Sequence, residues 1–149
     1  MAVFQTNFSD DIAVPYAGSP GNGELSNDIS LHLEGSTACA FGRPVYRGTA
    51  DKGATLTVSA NLRGFALRQQ GLVETSDRPA DSYAPGDTMA VRERGTIYVT
   101  TAVTVTDGQQ VYVTDAGAVT NVSTDNTAAT GWFFDQTITA AGRVMIARR

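Results

Sequence analysis

The chain is poor in the side chains that most often carry catalytic or metal chemistry. Its 149 residues include one cysteine, Cys39, and one histidine, His32. A disulfide needs two cysteines, and a Cys/His zinc site needs four ligands, so one copy can build neither. No second histidine, ligand or serine motif accompanies His32, and we expect it to be a surface residue on a strand. We expect Cys39 to be a small buried residue, and we predict no catalytic residue, no cofactor and no metal.

Charge is also scarce and is mostly acidic. Charged residues make up 17% of the chain, with 11 basic and 15 acidic side chains and a net charge of -4. Phosphate contacts dominate nucleic-acid affinity, so an acidic chain with one lysine, Lys52, predicts no nucleic-acid partner. No apolar run approaches the length of about 18 residues that a membrane span needs. The first residues also lack a basic and an apolar region of the kind found in secretory signals, so we expect synthesis in the cytoplasm and no membrane partner.

The N-terminal part differs from the rest of the chain. Residues 1–40 carry five acids and no base, a balance of -5, whereas the remainder has a balance of +1. Phe4, Phe8, Ile12 and Tyr16 follow neither a period of two nor a helical stripe. The next residues, Ala-Gly-Ser-Pro-Gly-Asn-Gly, interrupt any helix or central strand. We therefore predict an extended N-terminal arm and flexible Gly/Pro joint over residues 1–23, and a single β-domain over residues 24–149.

Short β-prone runs separated by glycines and turn dipeptides fill the second part. Ile97, Val99 and Thr101 alternate with polar neighbours, which indicates a strand with one buried face. The stretch Arg92–Gly95 is expected to reverse the chain, and residues 122–130 are expected to form a surface loop. This spacing is typical of an all-β fold, either a compact antiparallel β-barrel or a jelly-roll-like sandwich.

Two clusters leave a functional alternative open. Asp77, Asp81 and Asp87 lie in one Pro/Gly-containing loop, where aspartates usually cap turns but can also bind calcium. The aromatic run from Trp132 to Phe134 is expected to be core, although it could form a binding platform. We favour the structural interpretation of both clusters.

Five segments between residues 35 and 149 each combine a strand with its turn, and their order carries a resemblance. They are Phe41-Gly-Arg-Pro-Val-Tyr-Arg-Gly-Thr-Ala50, Tyr83-Ala-Pro-Gly-Asp-Thr-Met-Ala-Val91, Arg94-Gly-Thr-Ile-Tyr-Val99, Gly108-Gln-Gln-Val-Tyr-Val-Thr-Asp115 and Gly142-Arg-Val-Met-Ile146. In this order they resemble the capsid cement, or head decoration, proteins of tailed bacteriophages.

The resemblance implies a structural virion protein without enzyme activity. Such a protein is made in the bacterial host cytoplasm and binds the outer surface of the expanded capsid. There it bridges neighbouring major capsid proteins and stabilises the shell. Its implied partners are the major capsid protein and copies of itself, with a trimer favoured over a dimer. Because an arm in such proteins often reaches over neighbouring subunits, we hypothesise that Phe4, Phe8, Ile12 and Tyr16 form a capsid or subunit interface.

Two other classes of function remain open at this point. One is a different virion surface module, such as a fibre or a receptor- or glycan-binding β-domain, which would present a concave site or an aromatic platform. The other is a small all-β enzyme, which would need paired carboxylates or a metal cluster in a cleft.

Overall fold

The computed structural model describes residues 15–149, and in that range it contains eleven strands and no helix. The predicted all-β class is confirmed. The strands are β1 (Asn27–Leu33), β2 (Cys39–Ala40), β3 (Pro44–Arg47), β4 (Gly53–Thr55), β5 (Leu62–Ala66), β6 (Ser82–Tyr83), β7 (Thr88–Thr101), β8 (Gln110–Val113), β9 (Val119–Thr120), β10 (Thr127–Phe134) and β11 (Gly142–Arg148).

Nine of these strands form one sheet that closes on itself twice around β7. The order is β1-β4-β3-β5-β7-β11-β10-β8-β9, and β7 also pairs with β1 and with β9. The first barrel consists of β1, β4, β3, β5 and the first half of β7, and the second consists of the second half of β7 with β11, β10, β8 and β9. Neighbours are antiparallel except β1–β4 and β7–β9, and β2 and β6 form a separate pair. The predicted compact β-barrel is therefore present as two closed rings.

The shared strand contains a stretch that we expected to be a turn. β7 continues through Arg92–Gly95 without a reversal, pairing with β1 up to Arg94 and with β11 from Gly95 onward. Gly95 has a φ of +113°, which a glycine adopts at little cost, so the strand passes from one barrel to the other without ending. The predicted reversal at this position is wrong.

Each barrel has its own apolar core, and β5 connects the two. Leu33, Met89 and Val91 are among the buried residues of the first barrel. The core of the second barrel includes Trp132 and also Phe65 of β5, whose rings meet edge-on with centroids 4.9 Å apart. Edge-to-face pairs add to the stabilisation that burial itself provides. The two barrels are thus packed together by side chains as well as by the shared strand.

The alternation predicted for the second half of β7 is confirmed up to the end of the strand. Ile97, Val99 and Thr101 are buried, while Thr100 is exposed. The expectation of a surface loop over residues 122–130 is only partly right, because β10 begins at Thr127 and places Ala129 in the core. The small residues of this stretch fit a strand with one buried face equally well.

Candidate functional site

The segment before β1 runs along β7 as an additional extended piece of backbone. The Gly18 amide donates to the Tyr98 carbonyl at 2.7 Å, the Tyr98 amide to the Ser19 carbonyl at 2.9 Å, and the Gly21 amide to the Thr96 carbonyl at 3.2 Å. We call residues 16–25 the anchor segment. The segment pairs antiparallel with the edge of β7, and its residues Gly21 and Asn22 lie against the Thr96 side chain, which explains why Thr96 is buried although the sequence pattern places it on the outer face.

Gly18 lies at the tightest point of this arrangement. Its carbonyl accepts the Arg68 amide at 2.8 Å, so the residue bridges β7 and the chain that follows β5. Its φ is +80°, and a Cβ there would lie 2.8 Å from the Arg68 nitrogen and 2.8 Å from the Phe41 Cβ. Both the conformation and the space therefore require glycine. Backbone groups of residues 18–21 are hydrogen-bonded to the barrels, in a stretch that the sequence predicts as a flexible joint. The joint and the domain division at residue 23 stay predictions.

Tyr16 lies near the start of the described part of the chain. The residue is 56% exposed, and its ring is flanked by the guanidinium groups of Arg68 and Arg143, 4.4 Å and 5.1 Å from the ring centroid. A cation over an aromatic face is attracted by the ring's negative face. Tyr16 is therefore fixed to the body while much of its surface faces solvent. Phe4, Phe8 and Ile12 lie outside the described residues, and their role stays a hypothesis.

The other end of the anchor segment is held by an ionic cluster. Arg149 pairs with Glu24 at 2.9 Å and with Asp135 at 2.8 Å, and the Asn22 side chain donates to Glu24 at 3.0 Å. The hydrogen bonds from Arg149, and then from Asn22, hold the pKa of the Glu24 carboxyl below its ordinary value. We call Glu24, Asp135 and Arg149 the ionic latch. It ties the anchor segment to the last residue of the chain.

A cavity of about 290 Å³ lies beside Tyr16. Residues 78–82, from the loop that contains Asp77, Asp81 and Asp87, help to line it. Two of them are paired with arginines: Asp81 with Arg68 at 2.8 Å, and Asp87 with Arg78 at 2.7 Å. Burial of Asp87 opposes its ionisation, but hydrogen bonds from Arg78 and the Ala84 amide outweigh that effect and lower its pKa. The calcium alternative gains no support, since within residues 15–149 no three potential ligands are grouped to hold a metal ion.

The remaining sequence candidates occupy structural positions. His32 is exposed on β1, as expected. Cys39 is fully buried, and that burial raises the pKa of its thiol to about 12, so the thiolate is disfavoured. Trp132 and Phe134 are buried in the second barrel and Phe133 is half-exposed, which confirms the core interpretation of this aromatic run.

Sequence reasoning missed the residues that fix the anchor segment. Gly18 is far along the chain from Arg68, Arg143 and Arg149, and the contacts of these residues are visible only once the barrels close. The one local signal was a glycine next to Ser19-Pro20, which we took as a sign of flexibility. Among the described residues, no helix is long and apolar enough to cross a membrane.

The fold has a counterpart in a solved structure of a phage capsid. A chain of "The capsid of Myoviridae Phage XM1" matches with a TM-score of 0.71 and 17% identity, over 99% of this chain and 98% of that chain. A second match, "The crystal structure of head fiber gp8.5 N base in bacteriophage phi29", has a TM-score of 0.47 and 8% identity, over 84% of this chain and 95% of that one. No curated protein sequence shows significant similarity. The fold thus defines a small all-β protein of a type that also occurs in a phage capsid structure.

A match to a protein-family model identifies the family of the chain. The model described as "Structural cement protein (E217 gp24/Pam3 gp6)" matches residues 4–149. The chain belongs to this family, and the predicted resemblance to phage cement proteins is confirmed. It is therefore a structural protein of the phage virion, and its family is not a known enzyme family.

Proposed function

We propose that this protein binds the outer surface of the expanded phage capsid, bridges neighbouring major capsid proteins and stabilises the shell. The observation that carries the proposal is the match of the cement-protein model to residues 4–149, which include the β-barrels, the anchor segment and most of the arm. On this proposal the protein is made in the bacterial host cytoplasm and acts on the outside of the virion.

Binding alone is sufficient for this function. A protein that binds the assembled shell, and not its dissociated subunits, stabilises the assembly by mass action. A shell offers many equivalent sites, so modest contacts are multiplied over the whole surface. No reactive side chain is needed, which agrees with a chain whose one thiol is buried.

The anchor segment gives the proposed arm a firm attachment. A force on an arm that holds a neighbouring subunit would pass into the backbone bonds between residues 18–21 and β7, and then into both barrels. Tyr16 is the first hypothesised interface residue on this path, and more than half of its surface is available for contact. We propose that Phe4, Phe8, Ile12 and Tyr16 provide the apolar part of the interface.

The closure of the β-barrels favours contact with neighbouring proteins through side chains, and not through strand edges. Both rings are closed, because β7 pairs with β1 and with β9, and within residues 15–149 closure leaves few free strand edges that could extend a neighbour's sheet. We propose that the body contributes side-chain contacts and that it assembles with copies of itself, as a trimer in preference to a dimer. A threefold site of the shell would then hold three arms on three neighbouring subunits.

Binding to undecorated shells tests the proposal directly. The purified protein is mixed with expanded shells stripped of their decoration, the shells are sedimented, and bound protein and shell resistance to heat are measured. We expect saturable binding and a higher temperature of shell disruption. Unexpanded shells provide the control for surface selectivity. Absence of binding, or binding without any protection, would refute the proposed function.

A further inference from the structure

Leu25 is an unusual residue at the end of the anchor segment. Its side chain is 98% exposed, although single exposed apolar residues are common on protein surfaces. Its two neighbours are both held in place, since Glu24 belongs to the ionic latch and the Ser26 hydroxyl accepts Arg92 Nη2 at 3.3 Å. A Cβ on Gly95 would lie 2.8 Å from the Ser26 Cβ, so this loop rests directly on the bend of β7. The leucine is therefore presented by an ordered loop.

The surface around Leu25 is rich in arginine. A groove of about 420 Å³ is lined by Glu24, Leu25, Ser26, Arg94, Arg148 and Arg149. An adjoining hollow of about 290 Å³ shares the three arginines. Arginine is among the residue types that most often dominate binding energy at protein interfaces, and an exposed leucine beside it adds apolar surface that a partner can bury.

The three arginines differ in the ion pairs and hydrogen bonds that their side chains already form within the protein. Arg149 is neutralised in the ionic latch, and Arg148 donates to the Glu93 carbonyl at 3.2 Å. Arg94 is exposed, and within residues 15–149 its side chain has no ion pair or hydrogen bond. The groove thus combines an exposed leucine with a cation that has no counter-charge among residues 15–149. A complementary surface would offer an apolar socket next to a carboxylate.

We propose that Leu25 and Arg94 form a second contact with the capsid shell, separate from the arm, and that they bind an apolar socket flanked by an Asp or Glu of the major capsid protein. The proposal rests on the proposed function. Bridging requires two separated contacts on one molecule, and Tyr16 and Leu25 lie at opposite ends of the anchor segment. The arm would hold one capsid subunit while Leu25 and Arg94 contact another.

Two substitutions with matched controls test this contact. Leu25→Asp and Arg94→Glu are compared with Val122→Asp, an exposed apolar residue elsewhere, and Arg47→Glu, an exposed arginine on β3. Binding to stripped expanded shells is measured by sedimentation, and the mass of the free protein by light scattering. We expect each of the first two changes to weaken binding by about tenfold or more, which is the loss typical of truncating a dominant interface residue. The controls should bind like the unmodified protein, and the free mass should be unchanged throughout.

Three results would overturn the proposal in distinguishable ways. Unchanged binding by both Leu25→Asp and Arg94→Glu, with the unmodified protein still bound, refutes this contact and leaves the proposed function standing. A loss of binding accompanied by a lower free mass assigns the groove to contacts between copies of this chain. Absence of binding by the unmodified protein refutes the proposed function and this contact with it.

Discussion

The β-barrels and the anchor segment are held by different forces. In the barrels, side chains such as Trp132, Phe65 and Ile97 are fully removed from water. The anchor segment depends instead on backbone hydrogen bonds to β7, two guanidinium groups around Tyr16 and an ionic latch. Burial of a shared core is cooperative, whereas peripheral polar contacts can open locally. We therefore expect that the barrels supply most of the stability and that the anchor segment can be altered without unfolding them.

The largest effect is expected from emptying the core of the second barrel. Trp132→Ala removes a fully buried side chain that contacts Phe65, and we expect it to lower the free energy of unfolding by about 3–5 kcal/mol. The neighbouring Phe133→Ala, at a half-exposed position, is the control and should cost less than about 1 kcal/mol. Denaturant unfolding measures both. Equal losses of unfolding free energy for the two variants would contradict the assignment of Trp132 to the core and of Phe133 to the surface.

A smaller effect is expected when the anchor segment is forced away from β7. Gly18→Ala places a Cβ against the Arg68 nitrogen in a left-handed conformation, and we expect a cost of about 1–3 kcal/mol. Gly23→Ala is the matched control, because nothing lies within 4 Å of its added Cβ. Thermal unfolding gives the stability, and limited proteolysis near residue 18 reports release of the segment. If Gly18→Ala lowers the free energy of unfolding as much as Trp132→Ala does, the anchor segment belongs to the cooperative core.

The smallest effect is expected at the ionic latch, and it depends on pH. The pKa of Glu24 is lowered in the folded protein by Arg149 and Asn22, so its contribution is present above the ordinary pKa of 4.5 and is lost as the pH falls through the lowered value. Glu24→Gln should therefore unfold at a lower temperature than the unmodified protein at neutral pH, and the difference should shrink as the pH falls below 4.5 and Glu24 becomes protonated. Salt should reduce the neutral-pH difference, because the pair is exposed.

Glu74→Gln is the control for the latch, since the Glu74 carboxylate has no ion pair among residues 15–149. It should leave the unfolding temperature unchanged at neutral and at acidic pH. A Glu24→Gln effect that persists unchanged at low pH would contradict an ionic origin of the latch.

The barrels could be predicted from local patterns, because burial on a strand alternates with residue number. This alternation identified the buried side of Ile97 and Val99, and the neighbourhood of Trp132 indicated core. The continuity of β7 could not be predicted, because a glycine with positive φ serves both tight turns and strand bends. The residues beside Gly95 do not show whether its positive φ forms a tight turn or a bend within a continuous strand.

The anchor segment could not be predicted because its partners are distant. Glu24 and Arg149 are separated by 125 residues, and the backbone groups that bind Gly18 belong to Tyr98 and Arg68. Glycine, serine and proline indicate flexibility when they are considered alone. The same residues also permit the close approach of two backbones, which only the closed sheet reveals.

The central claim is that the arm binds the shell while the barrels fold without it. It is tested most directly by the affinity for stripped expanded shells of a variant that lacks residues 2–16, with its unfolding midpoint measured on the same sample. The account predicts an unfolding midpoint close to that of the full chain and at least about tenfold weaker shell binding, since one of two linked contacts is lost. Binding equal to that of the full chain, or a variant that does not fold, would contradict it.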